Sequence, residues 1–178
     1  MDEGFTRRSS ERVFSGYIFG VDVLAFTSPS GEAFDRDVVR HPGAVAVLPI
    51  TRPGYCLVLR QWRPSVEDYL LEAPAGTLDV ANEAPEAAAI RELAEEAGVA
   101  AAKLEAVGET LNTPGFCDQL TKLYLAYDLS VVAREPSGAE EEFSEVLELP
   151  LTSLADERTR ADATTRMLAL IALRREAS

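Results

Sequence analysis

The stretch 76–99, GTLDVANEAPEAAAIRELAEEAGV, limits the fold more than any other part of the chain. Pro85 suits the first position of a helix, the Ala- and Leu-rich run after it favours helix, and Gly98 stands where a left-handed C-terminal cap belongs. On a 3.6-residue wheel Ile90, Leu93, Ala94 and Ala97 share one apolar stripe. Glu92, Glu95 and Glu96 fall on the opposite, exposed side, within an arc of roughly 100°. Ala84 takes the N-cap position, where Thr or Ser would be worth about 1 kcal/mol more.

A solvated polar face is the ordinary reading of three such glutamates. Glu92 and Glu96 point further, because an i,i+4 like-charge pair costs roughly 0.2–0.5 kcal/mol and no lysine lies on that face to offset it. A hard divalent cation turns this repulsion into chelation. Mg2+ takes a few carboxylate oxygens and leaves its other positions to water and substrate phosphates.

Composition narrows the partners. A chain of 178 residues with 47% hydrophobic residues and a mean hydropathy of −0.03 predicts one globular domain with a substantial core. No run approaches the ~18 apolar residues of a membrane span, and MDEGFTRRSSER at the N-terminus lacks the apolar segment of a secretory signal. Cys56 and Cys117 are far apart in sequence, as expected of reduced thiols in a cytoplasmic protein. His41 is the only histidine, which argues against histidine triads and zinc centres. The net charge of −13 repels nucleic acid and anionic membranes, so neither is an expected partner. A small anionic substrate meets the same repulsion unless bound cations or an arginine pocket reverse the field.

Residues 1–10 read as a tail. RVFSGYIFGVDVLAFT (12–27) reads as one or two strands, Ser28 to Gly31 as a turn, and FDRDVVR (34–40) as a returning strand. Pro42-Gly43 marks a boundary between an N-terminal antiparallel β arm, 1–42, and the main domain, 43–178. AVAVLPI (44–50) is apolar throughout, as in a strand buried on both faces, and YCLVLR (55–60) is its hairpin partner. Further strands are expected over 69–73, 103–111, 120–129 and 146–149, with a polar acidic loop over 134–142 and a C-terminal helix over 164–175. Strands interleaved with two helices predict an α/β chain with a mixed sheet between helical layers.

The spacing of Gly76, Glu83, Arg91-Glu92, Glu95-Glu96 and Gly98 resembles the Nudix box of the Nudix hydrolases. From Glu83 to Val99 the match is complete; the loop between Gly76 and Glu83 is one residue longer than the family pattern. The resemblance implies an α/β/α sandwich with a mixed central sheet. It also implies a hydrolase that uses Mg2+, or Mn2+ in its place, to cut a nucleoside diphosphate joined to another group. By the same resemblance Glu92 and Glu96 are metal ligands, with Glu95 assisting and the backbone carbonyl of Ala75 a further ligand. Arg91 orients these carboxylates, and Glu83 is a candidate for the same work.

Elsewhere the chain resembles the ADP-ribose pyrophosphatase branch. Thr113-Pro114-Gly115-Phe116 is similar to that branch's marker, with Pro114 sixteen residues beyond Gly98. RDVVRHPGAVAVL (36–48), Gln61-Trp62-Arg63, and Leu71 to Gly76 are similar to its strand entry, its Gln-aromatic-Arg and its Leu-Glu-apolar-Pro-Ala-Gly. Glu140-Glu141-Glu142-Phe143 resembles its acidic loop, which implies Glu140 as general base and Glu142 as an extra ligand, with the register of the three glutamates open by one. Gln119 departs from the branch, which has a carboxylate there. Arg36 and Arg63 are candidates for diphosphate contacts or are surface arginines. Tyr17, Phe19 and Trp62 are candidates for an aromatic wall against the base, or packing residues. The resemblance further implies a homodimer formed through the arm. The expected reaction is hydrolysis of ADP-ribose or a related ADP-sugar to AMP and a sugar phosphate. The alternatives are another nucleotide sugar or dinucleotide as substrate, or a non-catalytic ADP-ribose sensor.

Overall fold

A computed structural model describes residues 4–136 and 138–177, the side chains of Ala139 and Glu140 excepted. The chain divides into two compact units, Met1–Gly43 with Leu111–Leu120, and Ala44–Thr110 with Thr121–Ser178.

The first unit is built on three antiparallel strands, β1 (Thr6–Ser15), β2 (Gly20–Thr27) and β3 (Ala33–Arg40), in the order β1-β2-β3. Of the tail expected over 1–10, residues 6–10 are strand, beginning with Thr6 opposite Thr27, and residues 1–3 lie outside the described residues. TRRSSERVFS has little apolar pattern of its own and is extended because β2 offers it a ladder of backbone partners. Gly31, at φ 87°, closes the β2–β3 turn in a conformation that side chains resist. Asp22 is buried on β2 between two arginines: it accepts from Arg12 and, at 3.0 Å, from Arg40. Arg40 reaches on to Asp118 at 2.8 Å, and Asp118 also accepts the His41 N–H. Backbone bonds join β3 to the 111–120 segment, from Val39 N–H to Phe116 and from Asp118 N–H to Val39.

The second unit contains β4 (Ala44–Arg52), β5 (Tyr55–Arg63), β6 (Asp68–Glu72), β7 (Ala75–Thr77), α1 (Pro85–Ala97), β8 (Val99–Leu111), β9 (Leu120–Val131), α2 (Ala139–Glu142), β10 (Glu145–Pro150), α3 (Leu151–Ala155) and α4 (Ala163–Glu176). The sheet order is β10-β5-β4-β9-β8, with β6 added beside β5 and β7 beside β4. β4 runs antiparallel to β5 and parallel to β9, so the sheet is mixed.

The apolar run of β4 works on both faces of the sheet. Ala46, Leu48 and Ile50 join Leu123 and Leu125 of β9 beneath Leu151 and Leu154 of α3 and Leu168, Ala169 and Ala172 of α4. Val45 and Val47 join Tyr124 and Ala126 beneath Ala88, Ala89, Leu93 and Ala97 of α1. Each buried leucine contributes roughly 1.5–3 kcal/mol, which fixes both helical layers on the sheet. This is the α/β/α sandwich that the sequence implies. β7 and α3, three and five residues long, carry too little pattern to be read in advance.

Candidate active site

α1 begins at Pro85 and ends on Gly98, whose φ of 65° closes the left-handed cap, as the caps predict. Its orientation corrects the wheel. Ile90, expected in the apolar stripe, is 46% exposed, whereas Glu92 and Glu96, expected on an open face, are only 8% and 4% exposed. The cause is β7, which runs beside α1 and presents Gly76 and a free backbone N–H to it. Glu92 lies directly against the Cα of Gly76, where any Cβ would overlap its carboxylate. Glu96 accepts the Ala75 N–H at 2.8 Å. Glu95, on the outer flank, is half-buried.

Burial dominates the electrostatics of these two acids. It pushes the Glu96 carboxyl up to about 8; the Ala75 N–H draws it down, while the charges of Glu92 and Glu141 push it up again and that of Arg63 draws it down. Burial also raises Glu92, against the pull of Arg91 and with the charges of Glu95 and Glu141 adding to the rise. Two carboxylates one helical turn apart are thus withdrawn from water without enough positive charge to balance them.

Arg91 organises the outer side of the cluster. Its Nε and Nη2 donate to Glu83 at 2.9 and 3.0 Å, and its Nη1 donates to Glu92 at 2.7 Å and Glu95 at 2.9 Å. The bidentate bond with Glu83 is the largest influence raising the Arg91 pKa, and it keeps Glu83 low in turn. On the neighbouring strands Arg63 of β5 grips the buried Glu72 of β6 through Nε at 2.8 and 3.0 Å and Nη2 at 2.5 Å. Glu72 stands in the Leu-Glu-Ala-Pro-Ala-Gly run, where no local pattern singles it out as the partner of Arg63. Trp62 meets Tyr69 edge-on, with ring centroids 5.5 Å apart.

In the acidic run, Glu141 is the described residue whose charge acts on both Glu92 and Glu96. Glu142 is exposed, and the side chain of Glu140 lies outside the described residues. In the first unit, Arg36 of β3 and Pro114 are brought together as walls of one cleft of about 340 Å3, with Leu24, Phe26, Val38 and Phe116. Arg36 also lies over the Phe34 ring at 4.7 Å. Tyr17, in the β1–β2 connection, is fully exposed and is not a wall of that cleft.

The donors fit a hard cation. They are carboxylate oxygens and a backbone segment, with no thiolate or imidazole among them, which is the set that suits Mg2+ or Mn2+. Among the described residues no trio of acidic, cysteine or histidine side chains is already closed around one point. That is compatible with Mg2+, which keeps several waters and needs only one or two carboxylates. A cation there also compensates the burial of Glu92 and Glu96.

Residues 40–170, which include this inward-facing acid pair and its glycine, match the NUDIX domain: the chain belongs to the Nudix family. Within it, the chain is 39% identical over 160 residues to the ADP-ribose pyrophosphatase of Bacillus subtilis (strain 168), an alignment that covers 88% of this chain and 86% of that one. It is 37% identical over 142 residues to the methanol dehydrogenase activator of Bacillus methanolicus, covering 80% and 76%. Its fold matches a crystal structure of an ADP compounds hydrolase with a TM-score of 0.81 over 96% of this chain and 92% of that one, at 21% identity.

Proposed function

We propose that this chain hydrolyses the diphosphate of ADP-ribose or a related nucleotide sugar, releasing AMP and a sugar phosphate such as ribose 5-phosphate, in a Mg2+-dependent reaction for which Mn2+ can substitute. One observation carries the reading: Glu92 and Glu96 are buried side by side against Ala75 and Gly76, with the charge of Glu141 bearing on both. The relationship to the Bacillus subtilis enzyme supports the substrate class.

Glu92, Glu96 and the Ala75 carbonyl would hold the cation, with a glutamate of the 140–142 run as a further ligand. Bound there, Mg2+ screens the negative oxygens of the diphosphate and aligns them for attack. The chain's own residues do the rest. Arg91 fixes Glu92 and Glu95 in place, Glu72 holds Arg63 on the flank of the cluster, and the acidic run supplies the base. Water oxygen bonds to phosphorus, the bridging P–O bond breaks, and the water's proton passes to a glutamate. Glu140 has that role by family resemblance; Glu141 is the neighbour whose charge reaches the α1 acids. Arg36 and Pro114 form a substrate subsite in the first unit, where Tyr17 is a candidate contact for the base; Trp62 is a separate candidate in the second unit.

The arm supports a homodimer. Its edge strand β1 is exposed along its whole length, Val13 and Phe14 within it included, and Ile18 and Phe19 stand uncovered just after it. The reading is of a cytoplasmic enzyme; no helix of the described residues is long and apolar enough to cross a membrane.

The test is product analysis on the purified chain. With Mg2+ or Mn2+, ADP-ribose yields AMP and ribose 5-phosphate, and chelation stops the reaction. Tight binding of ADP-ribose without turnover in either metal would establish a sensor instead, and faster release of GMP from GDP-mannose would move the substrate to another nucleotide sugar. Sedimentation as a stable monomer at micromolar concentration would refute the dimer.

A further inference from the structure

The last turn of α1 has no basic side chain of its own, and its carbonyls are capped from elsewhere. Gly98 N–H takes those of Leu93 and Ala94. The next two go to the segment that follows β9: Glu135 N–H donates to Glu95 at 3.2 Å, and Arg134 Nε donates to Glu96 at 2.5 Å. The rest of the same guanidinium points the other way, into the acidic run. Nη2 donates to the Glu141 carbonyl at 2.9 Å and to the Ser144 hydroxyl, and Nη1 donates to the Ser144 carbonyl at 3.2 Å. Ser144 is itself buried and donates through its hydroxyl to the Glu141 carbonyl at 2.8 Å. One planar cation therefore holds the peptide carbonyl of Glu96 and that of Glu141 together.

We propose that Arg134 is a positioning residue for the hydrolysis. It sets the separation between the acids of α1 and the acidic run that supplies the base, without touching substrate. The inference rests on the functional reading above and adds to it a residue outside the family box. α2 is only one turn long and has no side-chain cap. A positive group at the C-terminal end of α1 is also favourable to the helix dipole. Lysine cannot replace it, because one ammonium does not supply the rigid fork that serves acceptors on opposite sides.

The experiment compares Arg134→Ala and Arg134→Lys with the parent chain by steady-state kinetics on ADP-ribose with Mg2+ and by hydrogen exchange in the metal-free protein. Expected for both variants is a kcat lowered about 10–100-fold with KM held within about threefold, the mark of a misplaced reacting group. The Glu135 and Ser144 amides exchange faster, while amides of β4 and of the first turns of α1 keep their protection. A kcat within about threefold of the parent in both variants would overturn the proposal, as would exchange that accelerates equally over the whole second unit. If the parent chain turns over no nucleotide sugar, the functional reading fails. The exchange of residues 135–144 then still decides whether Arg134 holds that segment.

Discussion

The carboxylate of Glu92 occupies the space a side chain would need at Gly76. Glycine is demanded there by close approach, because the acid lies across the bare Cα of a neighbouring strand.

Gly76→Ala is therefore expected to separate activity from stability. The atoms in the way are the outer ones of a flexible glutamate, so the methyl group displaces Glu92 and leaves the backbone in place, at about 1 kcal/mol, the low end for overpacking. Hydrolysis falls about 100-fold or more, as for other misplacements near a reacting centre. Calorimetry beside an assay of AMP release checks both halves, and unchanged turnover would show that Glu92 works from another position.

Glu96→Gln is expected to abolish turnover without weakening the fold. The amide oxygen still accepts the Ala75 N–H, and the group replaced is a carboxyl whose ionised form is already disfavoured by burial, which pushes it up to about 8. Turnover drops about 10³-fold, equivalent to the several kcal/mol of charge stabilisation that a bound cation supplies. In metal-free buffer the melting temperature is equal to or above that of the parent. A clear decrease would mean that the buried carboxylate is paired in a way the geometry does not explain.

Asp22 predicts acid sensitivity in the arm. The hydrogen bond from Arg12, then that from Arg40, holds its carboxyl below the ordinary value of 3.8, although its burial works the other way. A carboxyl depressed on folding stabilises the arm fully above its unfolded pKa, and the contribution is lost as pH falls from 3.8 through the lower folded value. Asp22→Asn lacks that ionisation. The difference in arm stability between parent and variant, followed by exchange of β2 amides, is therefore largest near neutrality and shrinks below pH 3.8. A difference that does not change across that range would rule the pair out as the source.

Ala84 leaves the first turn of α1 without a side-chain cap, although its ψ of 146° is the extended conformation a capping residue adopts. Ala84→Ser is expected to stabilise the chain by about 1 kcal/mol, raising the melting temperature by roughly 2–4 °C. Ala84 is exposed and outside the acid cluster, so kcat stays unchanged. No gain in melting temperature would mean that the hydroxyl fails to reach the free N–H groups.

The limits of α1 were legible because proline and glycine mark them with their own backbone preferences. So was β4, since a run with no polar residue has to be covered on both faces. The inward turn of Glu92 and Glu96 was not. A helical wheel sends charge to solvent, and what reverses it here is a bare Cα and a free N–H in Ala75-Gly76, with Ala75 twenty-one positions before Glu96. The first half of β1, read as tail, was hidden for a related reason, because TRRSSE has no apolar pattern and is paired with β2. Arg134 gave no local signal at all: a single arginine opening a polar acidic loop looks like a surface residue until its four acceptors are seen together.

The carbonyl of Glu96 waits for a guanidinium that lies 38 residues further along the chain. During synthesis the Nudix helix emerges well before its clasp, and translation must pass Ser144 before the two acidic segments have anything to hold them to one another. A chain that stops short of Arg134 leaves the Glu96 carbonyl without its guanidinium and also lacks β10, α3 and α4, which complete the sheet and cover one of its faces.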